Sequence, residues 1–150
     1  MSVNSRRKLL KTIDVDRVKA AVAAAERATS GEVRVSVARF FWGSVRHAAK
    51  NAFARLGMAK TKDRNAILFF IVPSRKKFII LGDEGIHAKV GQEFWERLAG
   101  LMSGHFRKGE FTEGLVAAIE ETGRQLATHF PYDAAVDVNE LADDVDFGEN

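Results

Sequence analysis

Cysteine is absent from this 150-residue chain. That excludes disulfides, thiolate catalysis, cysteine-type zinc sites and iron–sulfur clusters, and it suits a reducing compartment. Long apolar runs are also missing. The longest, Ala66–Val72, is far short of the ~18–20 residues a transmembrane helix needs. Met1–Lys11 carries Arg6, Arg7, Lys8 and Lys11 with no apolar stretch behind them, so it does not read as a secretory signal. A soluble cytoplasmic protein is the expectation. No HExxH or HxH pair, GxGxxG, GK[ST], EF-hand spacing or nucleophile elbow occurs. Repeats, low-complexity tracts and domain linkers are absent too.

The end of the chain lacks one sign of charge. Asp133, Asp137, Glu140, Asp143, Asp144, Asp146 and Glu149 are not offset by any Lys or Arg there. Residues 1–130 therefore hold all 23 bases and 13 of the 20 acids, a net of +10. A basic body with an acidic tail suits nucleic-acid contact, a tail folded onto its own body, or a solvated surface. The chain divides into a basic arm (1–12), a single domain (13–131) and an acidic tail (132–150). In the tail, Leu141 and Phe147 are apolar anchors, and the region Val136–Leu141 is expected to pack on the body.

What is present reads as alternating helices and strands. Asp14 caps a helix reaching Thr29, with Val15, Val18, Val22 and Ala25 on one face. Glu32–Arg39 alternates Val33, Val35 and Val37 with polar or small residues, as a strand near an edge does. Ser44 caps a second helix with a stripe from Val45 to Leu56, closed by Gly57. Asn65–Val72 is apolar throughout, a strand covered on both faces. Pro73–Arg75 turns the chain, and Lys77–Leu81 returns antiparallel. Gly82–Gly85 forms a loop before a helical turn near Ile86–Val90. Two long helices follow, about Gln92–Phe106 and Phe111–His129. His105 falls on the apolar stripe of the first, where it reads as a satisfied, partly buried histidine. Phe130-Pro131 stops the second.

Helix–strand–helix–strand implies a right-handed crossover between parallel strands. With an antiparallel third strand this makes an α/β fold, a three-layer α/β/α sandwich around a small mixed sheet. The topology gathers Glu32, Asp63, Asn65, Asp83, Glu84 and His87 at one sheet edge. Their oxygens are donors that Ca²⁺ or Mg²⁺ takes, and paired carboxylates can do acid–base work. Equally, the loop acids can stay solvated or pair with Lys60, Lys62 or Arg64. The basic turn Arg75–Lys77 lies at the opposite end, and no aromatic-interleaved RNA platform is evident.

The stretch Thr29–Pro131 resembles the TPM domain, also labelled TPM-phosphatase. Thr29-Ser30-Gly31-Glu32-Val33-Arg34-Val35 resembles the family's opening TGxEIRV strand. Arg64-Asn65-Ala66-Ile67-Leu68 keeps only the Asn of its DNGVLL strand. Gly82-Asp83-Glu84-Gly85-Ile86-His87 is similar to its GxGLE loop, with His87 in place of Glu. Phe106–Leu115 resembles its FxxGxYxxGL turn. The resemblance implies an α/β/α sandwich, divalent-cation binding in an acidic groove and, in some plant members, a weak acid phosphatase activity. Arg64 and His87 each remove a negative ligand from that groove. The leading expectation is an accessory or interaction protein with an unidentified protein partner. It needs no cofactor and binds Ca²⁺ or Mg²⁺ weakly at most. A metal-assisted phosphatase is the alternative, and nucleic-acid association through the basic body, held back by the acidic tail, is a third.

Overall fold

The computed structural model describes residues 12–133 and 144–148. Residues 1–11 of the basic arm and the tail region Val136–Leu141 lie outside them. Helix α1 (Val15–Arg27) leads to strand β1 (Glu32–Val37) and helix α2 (Val45–Arg55). Strand β2 (Ala66–Val72) and strand β3 (Lys77–Gly82) follow, joined by a 3₁₀ turn at Pro73–Arg75. A four-residue helix α3 (Glu84–His87) precedes the long helices α4 (Gln92–Arg107) and α5 (Phe111–His129).

Each boundary has a local cause. Asp14 accepts a hydrogen bond from the Arg17 N–H and starts α1. Ser44 does the same for His47 and starts α2. Gly57 takes the left-handed conformation just beyond α2, where a side chain would be strained. Helix α1 ends at Arg27, two residues short of the sequence expectation. The Thr29 hydroxyl there donates to the carbonyls of Leu126 and Phe130 and accepts from the Gly31 N–H, so residues 29–31 follow the end of α5 instead. The short helix begins at Glu84 rather than near Ile86, because the Asp83 carboxylate caps it through the Glu84 N–H at 2.8 Å. His105 makes a 3.0 Å contact with Glu110 at the α4–α5 turn.

The sheet order is β1-β2-β3, with β1 parallel to β2 and β2 antiparallel to β3. Every residue of β2 is buried, as its uninterrupted apolar run requires. Ile67, Phe69 and Ile71 face α1, α4 and α5 in one core, which Val33, Val35 and Val37 share. Ala66, Leu68, Phe70 and Val72 face α2 in a second core with Ala49, Ala52 and Met58. The molecule is thus the expected α/β/α sandwich.

The free side of β1 is covered by the tail. The Val37 N–H donates to the Asp146 carbonyl at 2.7 Å, and the Asp146 N–H to the Val35 carbonyl at 2.9 Å. This short parallel bridge aligns Asp146 with Ser36. Val145 and Phe147 are buried in the larger core. The Asp146 carboxylate accepts from Ser36 Oγ at 2.7 Å and from both terminal nitrogens of Arg55, at 3.1 and 2.7 Å. An edge strand with unpaired backbone groups invites association with other chains, and this segment closes it.

Candidate functional site

Parallel pairing puts the starts of β1 and β2 at the same sheet edge, where β3 ends. Glu32 aligns with Ala66, and Ile67 with Gly82. The Glu32 N–H donates to the Asn65 carbonyl, and the Asp83 N–H to the Ala66 carbonyl. Glu32, Asn65 and Asp83 therefore meet at one edge, and all three are buried, Glu32 to 2% and Asn65 to 1% exposure. Asn65 Nδ2 donates to Ser30 Oγ at 3.3 Å, while its buried Oδ1 has no hydrogen-bond partner.

Arg64 dominates the edge. Its Nε and Nη2 donate to the two oxygens of Asp83 at 2.6 and 2.8 Å, and Nη1 reaches Glu84 Oε1 at 3.2 Å. The fork geometry matches a carboxylate on both arms. Arg64 holds a positive φ of 51° in the loop before β2, and its side chain reaches across the edge to Asp83 and Glu84. Burial alone would push the Asp83 carboxyl up. The Arg64 hydrogen bonds, the Glu84 N–H and the charges of Arg64 and His87 outweigh burial and hold it below its ordinary value. The same Asp83 hydrogen bond raises Arg64 above its own. The pair therefore opens only as pH falls below the ordinary carboxylate value.

Asp63 and His87 lie at the margin of this cluster. Asp63 is exposed and lines a 510 Å³ cavity with Ser30, Lys62, His129 and Pro131. Asp83 lines a different, 150 Å³ cavity beside Lys50 and Phe53 of α2. His87 is exposed, and its ring lies 4.9 Å from that of Trp95 on α4. Among the described residues, no group of three or more His, Asp or Glu is arranged to hold a metal ion. A divalent cation wants oxygens converging from several sides. Here both oxygens of the central carboxylate already face a guanidinium, so the residues do not fit the ion while Arg64 stays in place.

An α/β/α sandwich with buried polar residues at the open ends of its parallel strands describes a class of small domains. Residues 3–125 match the TPM domain, and the chain belongs to that family. The BA42 protein of the psychrophilic bacterium Bizionia argentinensis, solved by NMR, is 32% identical. It aligns over 93% of this chain and 94% of its own, with a TM-score of 0.84. The N-terminal domain of the cg2496 protein from Corynebacterium glutamicum shares the fold at 13% identity and a TM-score of 0.60. That alignment covers 75% of this chain and 70% of that domain. A P. gingivalis protein's N-terminal domain does so at 15% identity and 0.61, covering 89% and 82%. No curated protein matches the chain.

Proposed function

We propose that this TPM domain works as an accessory or interaction module rather than as an efficient hydrolase. The observation that supports this reading is the Arg64 fork on Asp83 and Glu84. It neutralises carboxylates that a metal-dependent phosphatase would need, and among the described residues no nucleophile is hydrogen-bonded to an adjacent histidine base that could replace them. On this reading Glu32, Asp63, Asn65, Asp83, Glu84 and His87 bind Ca²⁺ or Mg²⁺ only weakly. The unpartnered Asn65 Oδ1 supplies an oxygen, but the central carboxylate is taken.

Two measurements test this. Hydrolysis of a generic phosphate monoester by the purified chain, with Ca²⁺ or Mg²⁺ present, will stay at background. Turnover that follows the protein and is lost in Asp83→Asn would instead favour a metal-assisted phosphatase. Calorimetric titration will give a Ca²⁺ dissociation constant in the high micromolar range or weaker. Arg64→Asp exchanges the blocking cation for an oxygen donor at a position whose positive φ an aspartate tolerates. It will tighten Ca²⁺ binding by about tenfold or more, as added ligand charge does in calcium sites. Unchanged affinity would mean that Arg64 does not control the edge.

A further inference from the structure

The opposite end of the sheet carries a different chemistry. Residues 33–82 contain eleven Lys and Arg and a single acid, Asp63. Several of these bases surround the loop after β1, whose sequence is Arg39-Phe40-Phe41-Trp42-Gly43. Arg39 and Arg46 are exposed on that loop and on the first turn of α2, and Lys76 and Lys77 on the β2–β3 turn. Because β1 and β2 run parallel, the loop and the turn lie side by side. Among the described residues none of these four bases has an acidic partner.

Within this cationic rim stand two apolar rings. Trp42 is 88% exposed and Phe40 46%, and their rings meet edge to face at 4.8 Å. The loop that holds them is fixed. Arg75 Nη1 donates to the carbonyls of Phe41 and Gly43, at 3.2 and 2.9 Å. Its guanidinium also lies 5.4 Å from the centre of the Phe41 ring. Ser44, just beyond, caps α2. The fold thus spends an arginine on presenting a tryptophan to solvent. A 420 Å³ groove beside the loop, lined by Ser44, Lys76 and Lys77 among others, is wide enough for a phosphate headgroup.

We propose that this end of the molecule is a docking surface for an anionic lipid bilayer. Phe40 and Trp42 enter the interface between headgroups and acyl chains, where amphipathic aromatic rings are favoured. Arg39, Arg46, Lys76 and Lys77 hold lipid phosphates around them. Paired aromatics at the tip of a basic face match a bilayer better than a nucleic-acid strand. Single-stranded RNA wants ring faces laid along a track, whereas these two rings are near-perpendicular, at 89°, and crowd one point. The surface lies at the far end of the sheet from Asp83. It therefore goes beyond the interaction-module reading and does not depend on the state of the carboxylate edge.

Sedimentation of the full chain with vesicles tests it. Vesicles of phosphatidylcholine mixed with phosphatidylglycerol will carry the protein down, and phosphatidylcholine alone will not. Binding will be lost in about 1 M salt, where the screening length falls to about 3 Å. The exposed double substitution Phe40→Ser/Trp42→Ser will weaken binding by about tenfold, and Arg46→Gln/Lys76→Gln/Lys77→Gln by about a hundredfold. All these side chains are on the surface, so circular dichroism and Tm will match those of the unaltered chain. Vesicles will shift the tryptophan emission to the blue, and Trp42→Phe will abolish the shift. Absence of sedimentation, equal binding by both variants, or tighter binding to a single-stranded RNA oligonucleotide than to the anionic vesicles would overturn the proposal. Phosphatase turnover would overturn the module reading and leave this one standing.

Discussion

Asp146→Ala will lower the unfolding free energy at neutral pH by about 3 kcal/mol, the scale of removing one partner from a largely buried ion pair. The carboxylate is only 9% exposed and receives Ser36 and both arms of Arg55. Ser36 is itself buried. Truncating Asp146 strands its hydroxyl and leaves Arg55 without its counter-charge. Burial pushes the Asp146 carboxyl up, but Arg55, Ser36 and the Gly148 N–H together hold it below its ordinary value. The folded state therefore binds a proton less readily than the unfolded chain does. Its contribution is complete above the unfolded carboxylate pKa of about 3.9 and is lost as pH falls through the lower folded value. Denaturant titrations of the unaltered chain and Asp146→Ala will differ at pH 7 and converge in strong acid. Equal stabilities at pH 7 would show that the tail rests on β1 without supporting it.

Gly85→Ala will be as damaging, for a reason of space. A Cβ on Gly85 would lie 2.6 Å from the Arg64 carbonyl oxygen and closer still to that of Asp63. These are backbone atoms, which cannot swing aside. The Gly85 N–H also donates to the Arg64 carbonyl at 2.8 Å, so the close approach is itself a bond. Forcing the strands' ends apart costs about 3 kcal/mol, and Tm falls by about 10 °C for a chain of this size. The displaced Arg64 backbone will loosen its grip on Asp83. Gly104→Ala is the contrast. Nothing lies within 4 Å of a Cβ there, inside α4, and alanine will stabilise the helix by about 0.5–1 kcal/mol. A Gly85→Ala protein with unchanged Tm would mean that the two loops are not pressed together.

The layers were legible because periodicity carries them. The seven-residue apolar run of β2 and the alternation of β1 are local signals, and topology then brings Glu32, Asn65 and Asp83 to one edge. The role of Arg64 was only half visible. The sequence shows a base where the family has an acid. It does not show that the Arg64 guanidinium forks onto a carboxylate 19 residues away. Position in their loops groups Asp63 and His87 with the cluster; what it does not show is that Asp63 also lines a cavity with His129 and that the His87 ring lies beside Trp95. Phe147 reads from the sequence as an apolar anchor and is one, but the pairing of this segment with β1 does not show, for a different reason. Three residues in an acid-rich tail are too few to establish a period, although apolar–Asp–apolar is the pattern a short strand would show. Trp42 was overlooked because exposure cannot be inferred for a lone aromatic residue in a loop.

The bond between Ser36 and Asp146 spans 110 residues. A chain made from its N-terminus has β1 and β2 available long before the segment that shields them. Until residue 147 has emerged, the nascent sheet displays a bare valine-rich margin with unpaired N–H and C=O groups. Yield in the cell should therefore depend on how quickly the last stretch is translated and how well it is protected from proteases. Slow codons after position 130 or a nick in the tail would cost soluble protein even when the core sequence is untouched.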